Sequence, residues 1–342
     1  MTDVTVLGAG SWGTALAVLL ARNGKKVMLW GRPEDGVLEF NELRENKIFL
    51  PGVELPENLL ATADLEEACR DGIQNYVIAV PSQVVRSVVR QVKDLIPENS
   101  LLINVAKGIE TTSLKRLSEV IMEEAGDKTR RISVLSGPSH AEEVGRGIPT
   151  AVVAAARQRD VAEAVQDLFM APEFRVYTNP DLVGVEIGGS LKNVIALCAG
   201  VADGLGYGDN TKAALMTRGI VEIRRLGVAM GANDSTFSGL AGIGDLIVTC
   251  TSMHSRNRRA GIKIGQGIPL ESVLAEMGMV VEGVNATKAA VALSERYQVS
   301  MPIAREAYRV LYEGLDPRTA VMNLMSRQKK HEIEEVVNIS GW

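Results

Sequence analysis

The stretch that decides the fold is Val4-Thr5-Val6-Leu7-Gly8-Ala9-Gly10-Ser11-Trp12-Gly13, near the start of the chain. Four residues typical of a buried strand run into three glycines with the spacing G-x-G-x-x-G. Residues 14–21 have a helical apolar pattern that ends at Asn23-Gly24, a pair that commonly closes a helix. Residues 26–30 follow as a second apolar run. The pattern therefore predicts a strand, a glycine turn, a helix and a second strand.

A glycine turn in this context is typical of a site for the pyrophosphate of a dinucleotide. Gly8 would make the tight turn, Gly10 would let the backbone approach the phosphates, and Gly13 would let the helix pack on the sheet. The amides of Ser11 and Trp12 would then face the phosphates at the helix N-terminus. The alternative, a glycine turn that binds no ligand, leaves the spacing unexplained.

The residues after the second strand bear on the choice of cofactor. An NAD-selective site usually carries an acid here for the ribose 2′-hydroxyl, but the chain reads Gly31-Arg32-Pro33-Glu34. A guanidinium suits a 2′-phosphate, so Arg32 favours NADPH, with NADH as the second choice. The nearby acids Glu34 and Asp35 leave this preference open, and Arg32 can also be read as a solvated loop charge.

Strand and helix patterns alternate through the rest of the first half. Strand-like apolar runs recur at residues 76–80, 101–105, 132–135, 150–155 and 174–178. Such alternation predicts an α/β Rossmann-type doubly wound sheet, mostly parallel, within an NAD(P)-binding domain of residues 1–185. Ligands of such sheets gather at the carboxyl ends of the strands, and Lys107, Gly137 and Ser139 fall at such ends.

After residue 180 only helical patterns follow, which predicts an all-α C-terminal domain of residues 186–342. Every residue from 194 to 202 is apolar or small, so we expect a helix with no solvent-facing side and with Lys192 and Asn193 at its head. Burial disfavours the ammonium form of lysine and lowers its pKa, which would make Lys192 a proton acceptor. The alternative is a helix-end lysine whose amine reaches water.

Two further segments of this half carry charged groups. A glycine-rich loop at residues 239–246 presents the carboxylate of Asp245 beside a strand-like apolar run. Ser255 is a predicted helix N-cap, with Arg256, Asn257 and two more arginines in the first turn. Arginines are unfavourable at this end of the helix dipole, but they suit a bound anion such as a small phosphate. A solvated basic face is the alternative.

Composition excludes several classes of protein. The 342 residues, 46% hydrophobic and 23% charged, are typical of a globular protein with two domains. A net charge of −5 argues against a nucleic-acid binder, and the scattered cysteines and histidines predict no disulfide framework and no metal site. Residues 4–21 lack the charged start of a signal peptide, and no apolar run approaches the ~20 residues of a membrane span. We therefore expect a cytoplasmic protein without membrane insertion. Residues 327–342 predict either a last helix or partial disorder.

Seven segments together resemble bacterial NAD(P)-dependent glycerol-3-phosphate dehydrogenase. They are residues 8–17, 104–110, 136–139, 191–194, 238–246, 254–258 and 281–283, in the family's order over nearly the whole chain. The resemblance implies an oxidoreductase that reduces dihydroxyacetone phosphate to sn-glycerol 3-phosphate reversibly with NAD(P)H. It also implies a cytoplasmic homodimer that serves glycerophospholipid synthesis. Two departures, His140 and Ser190, stand where aromatic residues and alanine are frequent, and we expect neither side chain to touch the implied chemistry.

The resemblance gives each matched residue a role. Lys192 is implied to be the catalytic proton acceptor in the oxidative direction. The implied substrate contacts are Lys107, Gly137, Ser139, Lys192, Asp245, Ser255, Arg256 and Asn257. The implied cofactor contacts, which join Gly8, Gly10 and Gly13 of the turn, are Ser11, Trp12, Arg32, Lys107, Ala141, Arg256, Val280 and Glu282.

Two other functions stay open on the sequence. A related two-domain reductase, acting on a hydroxy acid or ketopantoate, would share the fold but would not need an anion site at Ser255-Arg256-Asn257. A non-catalytic NAD(P)-sensing regulator would keep the glycine turn but has no reason to bury Lys192. Fold alone does not decide among these functions.

Overall fold

The structure is a computed structural model that describes residues 2–69, 72–329 and 331–332. Its strands are β1 Val4–Leu7, β2 Val27–Trp30, β3 Glu45–Asn46, β4 Leu50–Glu54, β5 Leu59–Thr62, β6 Asn75–Ile78, β7 Leu101–Asn104, β8 Ile132–Ser136, β9 Thr150–Ala156 and β10 Phe174–Asn179. Eight of them form one sheet in the order β10-β9-β8-β7-β6-β1-β2-β5, and β3 pairs with β4 separately. Neighbours in the large sheet are parallel except β8 and β9. The predicted mostly parallel, Rossmann-type sheet is confirmed.

Helices cover both faces of this sheet and form the whole second half. They are α1 Ser11–Arg22, α2 Phe40–Leu43, α3 Leu65–Ala68, α4 Val85–Val92, α5 Leu117–Ala125, α6 Ala141–Gly145, α7 Arg159–Phe169, α8 Leu182–Gly204, α9 Asp209–Ala229, α10 Asp245–Thr251, α11 Arg256–Gly265, α12 Leu270–Met277, α13 Glu282–Arg296, α14 Pro302–Tyr312 and α15 Pro317–Met325. The predicted all-α second half is confirmed over the described residues. Residues 330 and 333–342, most of the segment predicted as a helix or disorder, lie outside them.

The sheet separates two apolar cores. In β1 the side chains of Val4 and Val6 join the core beneath α1 and α7, while Leu7 joins the core beneath α4 and α5. This follows from the alternation of side chains along a strand. Strands buried on both faces become continuous apolar runs, which is why most of them were recognisable in the sequence. The edge strand β5 was not predicted.

α8 is the axis of the second half. Eighteen of its 23 residues are buried and none is fully exposed, because α9, α10, α11 and α13 pack around it. α11 approaches closely through facing glycines: a Cβ on Gly200 would lie 2.1 Å from the Arg258 carbonyl oxygen, and one on Gly261 would lie 2.1 Å from that of Leu197. The predicted absence of a solvent-facing side is confirmed.

The structure corrects two expectations about α8. The helix begins at Leu182, so Lys192 lies in its middle and not at its head. We also expected no apolar run of membrane-spanning length, but α8 is long and apolar enough to cross a membrane. Since 89% of its most apolar window is buried inside the protein, α8 is a core helix.

A buried ion pair joins the two halves at the start of α8. The Glu186 carboxylate accepts hydrogen bonds from the Ser118 N–H at 2.8 Å, the Ser118 hydroxyl at 2.5 Å and the Arg116 guanidinium at 2.6 Å. Burial raises the pKa of Glu186, and the charge of Arg116 opposes that rise. α8 is therefore anchored on the sheet half a few residues before it carries Lys192 into the space between the halves.

Candidate active site

Lys192 lies at the centre of a buried hydrogen-bond network. Its ammonium donates to Thr249 Oγ1 at 2.7 Å and to Asp245 Oδ1. The other carboxylate oxygen of Asp245 accepts from Lys107 Nζ at 2.8 Å. The side chains of Lys192 and Asp245 are only 7% and 1% exposed. Two amines thus share one buried carboxylate, so that protonating both leaves one positive charge uncompensated within this network.

These surroundings lower the pKa of Lys192 to about 7. Burial is the main cause, because an ammonium loses its hydration there. The carboxylate of Asp245 opposes the shift and the charge of Lys107 adds to it. An amine with a pKa near neutrality can both donate and accept a proton at physiological pH. The sequence predicted a lowered pKa at this lysine, in this direction.

Asp245 reaches Lys192 from a helix and not, as expected, from a loop beside a strand-like run. The glycine-rich segment is a π-helical turn, Leu240–Gly244, that continues directly into α10. Asp245 and Thr249 are therefore one helical turn apart on the same face, and both contact the Lys192 amine. Sequence reasoning missed Thr249, although its i+4 spacing from Asp245 would have indicated it had the segment been read as a helix.

Lys107 connects the sheet to this network. It follows β7, and its amine also donates to the Gly137 carbonyl at 2.8 Å and to Ser139 Oγ at 3.4 Å, both just after β8. The carboxyl ends of these two strands thus meet the helical half at Asp245. The sequence placed Lys107, Gly137 and Ser139 at one sheet edge, and the structure brings them together there.

Two asparagines extend the network to the start of α11. Asn193 Nδ2 donates to the Lys107 carbonyl at 3.3 Å, and Asn193 Oδ1 accepts from Asn257 Nδ2 at 2.9 Å. Asn257 Oδ1 in turn accepts from the Gly283 N–H at 2.8 Å, at the start of α13. The first turns of α11 and α13 are therefore held beside the segment of α8 that carries Lys192.

The N-terminus of α11 has the predicted cap. Ser255 Oγ accepts from the Arg258 N–H at 3.2 Å. Arg256 is partly buried, and burial lowers the pKa of its guanidinium against the attraction of Glu282. The Arg258 side chain instead turns back to Asp203 on α8, at 2.8 Å. Only part of the predicted arginine cluster is therefore free to meet an anion.

A second contact between the halves lies at Glu282, the first residue of α13. Its carboxylate accepts from the Ser82 N–H at 2.9 Å and from the Ser82 hydroxyl at 2.5 Å, just after β6. Burial raises the pKa of Glu282, and the hydrogen bonds from Ser82 oppose that rise. Sequence reasoning missed Ser82, because a partner 200 residues away leaves no local signal.

The glycine turn fits a dinucleotide. A Cβ on Gly8 would lie 2.7 Å from the Ala79 carbonyl oxygen, and one on Gly13 would lie 1.9 Å from that of Gly8, so both positions require glycine. A Cβ on Gly10 would meet nothing within 4 Å, which leaves the backbone open to a ligand. The buried indole N–H of Trp12, at the start of α1, has no partner among the described residues. An open backbone and an unpaired donor at a helix N-terminus suit a polar ligand.

The other predicted cofactor residues lie around this turn and the Glu282 contact. Arg32 follows β2 and pairs with Asp35 at 2.8 Å. Ala141 begins α6 and is buried, while Val280 is 38% exposed and lies two residues before Glu282. Their contacts with a cofactor stay predictions.

His140, one of the two departures from the family pattern, lies close to the network. Its ring is 5.7 Å from that of His254, measured between ring centroids. Burial lowers the pKa of His140, and the charge of Lys192 lowers it further. Both effects favour the neutral imidazole over the imidazolium beside the two lysines.

Comparison with known proteins identifies the family. Models described as NAD-dependent glycerol-3-phosphate dehydrogenase N-terminus and C-terminus match residues 3–162 and 181–322. Glycerol-3-phosphate dehydrogenase (NAD(P)+) of Pelotomaculum thermopropionicum is 60% identical over 334 residues, covering 97% of this chain and 95% of that protein. The Bacillus velezensis enzyme of the same name is 57% identical over 339 residues, covering 99% and 98%. The crystal structure of glycerol-3-phosphate dehydrogenase from Coxiella burnetii has a TM-score of 0.91 and 39% identity, covering 95% of this chain and 99% of that one. The chain therefore belongs to the NAD-dependent glycerol-3-phosphate dehydrogenase family.

Proposed function

We propose that this protein reduces dihydroxyacetone phosphate to sn-glycerol 3-phosphate with NAD(P)H, and catalyses the reverse oxidation. The observation that carries the proposal is the Lys192 amine, buried between the two halves with its pKa lowered to about 7. A proton donor of this kind is what reduction of a ketone requires. Membership of the family supports the choice of substrate and cofactor.

The two halves would have different roles in the reaction. Residues 1–185 would bind the cofactor and residues 186–342 would supply the proton and most of the phosphate site. A bound reduced nicotinamide supplies the hydride. The residues proposed to hold the cofactor are Gly8, Gly10, Ser11, Trp12, Gly13, Arg32, Lys107, Ala141, Arg256, Val280 and Glu282.

The substrate phosphate would bind at the first turn of α11, on Ser255, Arg256 and Asn257. Backbone N–H groups and a guanidinium together favour an anion at a helix N-terminus. The hydrogen bond from Asn257 to Asn193 supports this position, because it holds the turn close to the residue that follows Lys192. Lys107, Gly137, Ser139 and Asp245 would contact the rest of the substrate.

During reduction, protonated Lys192 would give its proton to the carbonyl oxygen as that oxygen gains negative charge. One hydride and one proton convert the ketone to the alcohol, and in the oxidative direction neutral Lys192 takes the proton back. The charge of Lys107 would stabilise the developing alkoxide. Asp245 would orient both amines, and Thr249 would fix the position of Lys192.

We also propose that the protein is a cytoplasmic homodimer that supplies a precursor of glycerophospholipids. The family resemblance supports all three statements. The net charge of −5 fits a protein that binds no nucleic acid. The burial of α8 inside the helical half fits a protein that is not inserted in a membrane.

The deciding experiment is NADPH oxidation with dihydroxyacetone phosphate, repeated with unphosphorylated dihydroxyacetone and with ketopantoate. We expect kcat/KM to fall by at least about 100-fold without the phosphate, because binding energy at the α11 turn is then lost. Equal turnover of ketopantoate would favour the related reductase. Absence of NADPH oxidation with any phosphorylated ketone would favour the regulator.

A further inference from the structure

The carboxyl end of β2 holds a charged pair, Arg32 and Asp35, of which the proposed function uses only Arg32. Arg32 donates from Nη2 to Asp35 Oδ1 at 2.8 Å and from Nε to Asp35 Oδ2 at 3.2 Å. The Arg32 backbone N–H also donates to Asp35 Oδ2, at 3.2 Å. Asp35 therefore occupies one edge of the guanidinium with a two-point contact. This is the same kind of contact that a guanidinium makes with a phosphate.

The backbone fixes the carboxylate in this place. Asp35 closes a 3-10 turn, Pro33–Asp35, in which its N–H donates to the Arg32 carbonyl at 3.0 Å. The Asp35 side chain is 15% exposed, whereas that of Arg32 is 64% exposed. The anion of the pair is thus held by the turn, and the cation extends into solvent over it.

We propose that Asp35 is a specificity-determining residue that acts through Arg32 and restrains the preference of this protein for NADPH over NADH. The proposal rests on the proposed function, in which the adenosine ribose lies at the end of β2. A 2′-phosphate that binds Arg32 must compete with the Asp35 carboxylate and is repelled by its charge. The 2′-hydroxyl of NADH carries no charge, so Asp35 does not repel it and it does not need to displace Asp35 from Arg32. A protein built in this way accepts both cofactors.

Glu34 provides a matched control for the charge alone. It is the residue before Asp35, it is exposed, and among the described residues it accepts no hydrogen bond from Arg32. Glu34→Gln and Asp35→Asn each remove one negative charge from the same turn. Only Asp35→Asn removes the two-point contact, so the difference between them measures that contact.

The test measures binding of adenosine 2′,5′-bisphosphate and of 5′-AMP to the full chain by calorimetry. We expect Asp35→Asn to tighten binding of the bisphosphate about two- to fivefold, the scale of one exposed ion pair, and to leave binding of 5′-AMP within about twofold. Asp35→Glu should stay near wild type, and Glu34→Gln should change the bisphosphate by less than about twofold. In an Arg32→Ala background, Asp35→Asn should keep only the effect of its charge, less than about twofold as for Glu34→Gln, because no contact with Arg32 is left to release.

A steady-state arm adds the natural cofactors. In Asp35→Asn the ratio of kcat/KM for NADPH to that for NADH should rise by the same factor, through KM and not through kcat. Weaker or unchanged bisphosphate binding in Asp35→Asn would overturn the proposal, since Asp35 would then pre-position Arg32 or play no part. An equal gain in Glu34→Gln would also overturn it. The binding arm needs no turnover, so failure of the proposed reaction would appear separately, as absence of NADPH oxidation.

Discussion

The site around Lys192 and the site around Arg32 are built in opposite ways. Lys192 and Asp245 are 7% and 1% exposed, and their hydrogen bonds come from α8, α10 and the end of β7. Arg32 is 64% exposed and is held by Asp35 from its own turn. Removing one partner of a buried charge pair costs about 3–5 kcal/mol, whereas an exposed pair contributes at most about 1 kcal/mol. The geometry of the Lys192 site, the reacting end, is therefore fixed by packing. At the Arg32 site, the adenosine end, one substitution can change the preference between the two cofactors.

The difference follows from what each end must do. Transfer of a proton requires an amine whose pKa and position are both set before the substrate arrives, and burial achieves both. Choice between two cofactors that differ in one phosphate requires only a small free-energy difference. The effects of substitutions at the two ends should therefore differ in size and in kind. Three predictions test this difference, beginning with the largest effect.

Lys192→Met should lower kcat for dihydroxyacetone phosphate by about 10²–10⁴-fold, because the proposed proton donor is lost. Binding of NADPH, measured by fluorescence titration, should persist, since the glycine turn is unchanged. Arg32→Ala is the contrasting variant, and its kcat with NADH should stay near wild type. Near-wild-type turnover in Lys192→Met would remove the basis of the proposed mechanism.

Thr249→Val tests whether the buried end depends on each hydrogen bond. The substitution keeps the shape of the side chain but removes the oxygen that accepts from Lys192 at 2.7 Å. We expect a loss of about 1–3 kcal/mol in the free energy of unfolding, measured with urea, and about tenfold in kcat/KM.

Thr251→Val is the matched control, because Thr249 and Thr251 lie on the same helix and each donates to the carbonyl four residues before it. Thr251 is exposed, so its substitution should change stability by no more than about 0.5 kcal/mol. Equal losses in the two variants would mean that the helix, and not the Lys192 network, is what Thr249 stabilises.

The sequence predicted most of the sheet because its strands are buried on both faces and form apolar runs. It misplaced the start of α8 because polar residues there looked like a helix end. In the structure Glu186 is paired with Arg116, and the Ser190 hydroxyl donates to the Gly108 carbonyl at 3.0 Å, both in the other half. Partners so distant along the chain leave no local pattern.

The charged residues of the candidate site were predictable from the sequence, but Thr249 and the geometry of the Arg32–Asp35 pair were not. Lys192 and Asp245 were singled out because charge within apolar or glycine-rich segments is unusual. Lys107 was singled out because it follows a strand at the edge of the sheet where ligands bind. Thr249 was missed because the π-helical turn before α10 has no sequence signature and its apolar run resembles a strand. In a strand Asp245 and Thr249 would be about 13 Å apart, too far to share one amine. The Arg32–Asp35 pair was visible as neighbouring charges, but its two-point geometry depends on the 3-10 turn.

The last prediction separates the two ends by pH. Reduction needs protonated Lys192, so kcat/KM for dihydroxyacetone phosphate should fall as the pH rises above about 7. Oxidation of glycerol 3-phosphate needs the neutral amine, so its kcat/KM should fall as the pH drops below about 7. We call these two pH-dependent falls in kcat/KM the alkaline limb of reduction and the acid limb of oxidation. Lys107→Met removes a charge that lowers the pKa of Lys192, and should move the midpoints of both limbs up by about one pH unit.

Asp245→Asn removes the charge that raises the pKa of Lys192, and should move both limbs down. Arg32→Ala and Asp35→Asn should leave both limbs in place, because neither residue contributes to that pKa. The measurement is the pH at the midpoint of each limb and not the maximal kcat/KM. It can therefore still be made when a substitution at the buried end also lowers activity. Limbs that stay at one pH in all four variants would mean that a group other than Lys192 carries the proton, and the division between a fixed reacting end and an adjustable adenosine end would lose its chemical basis.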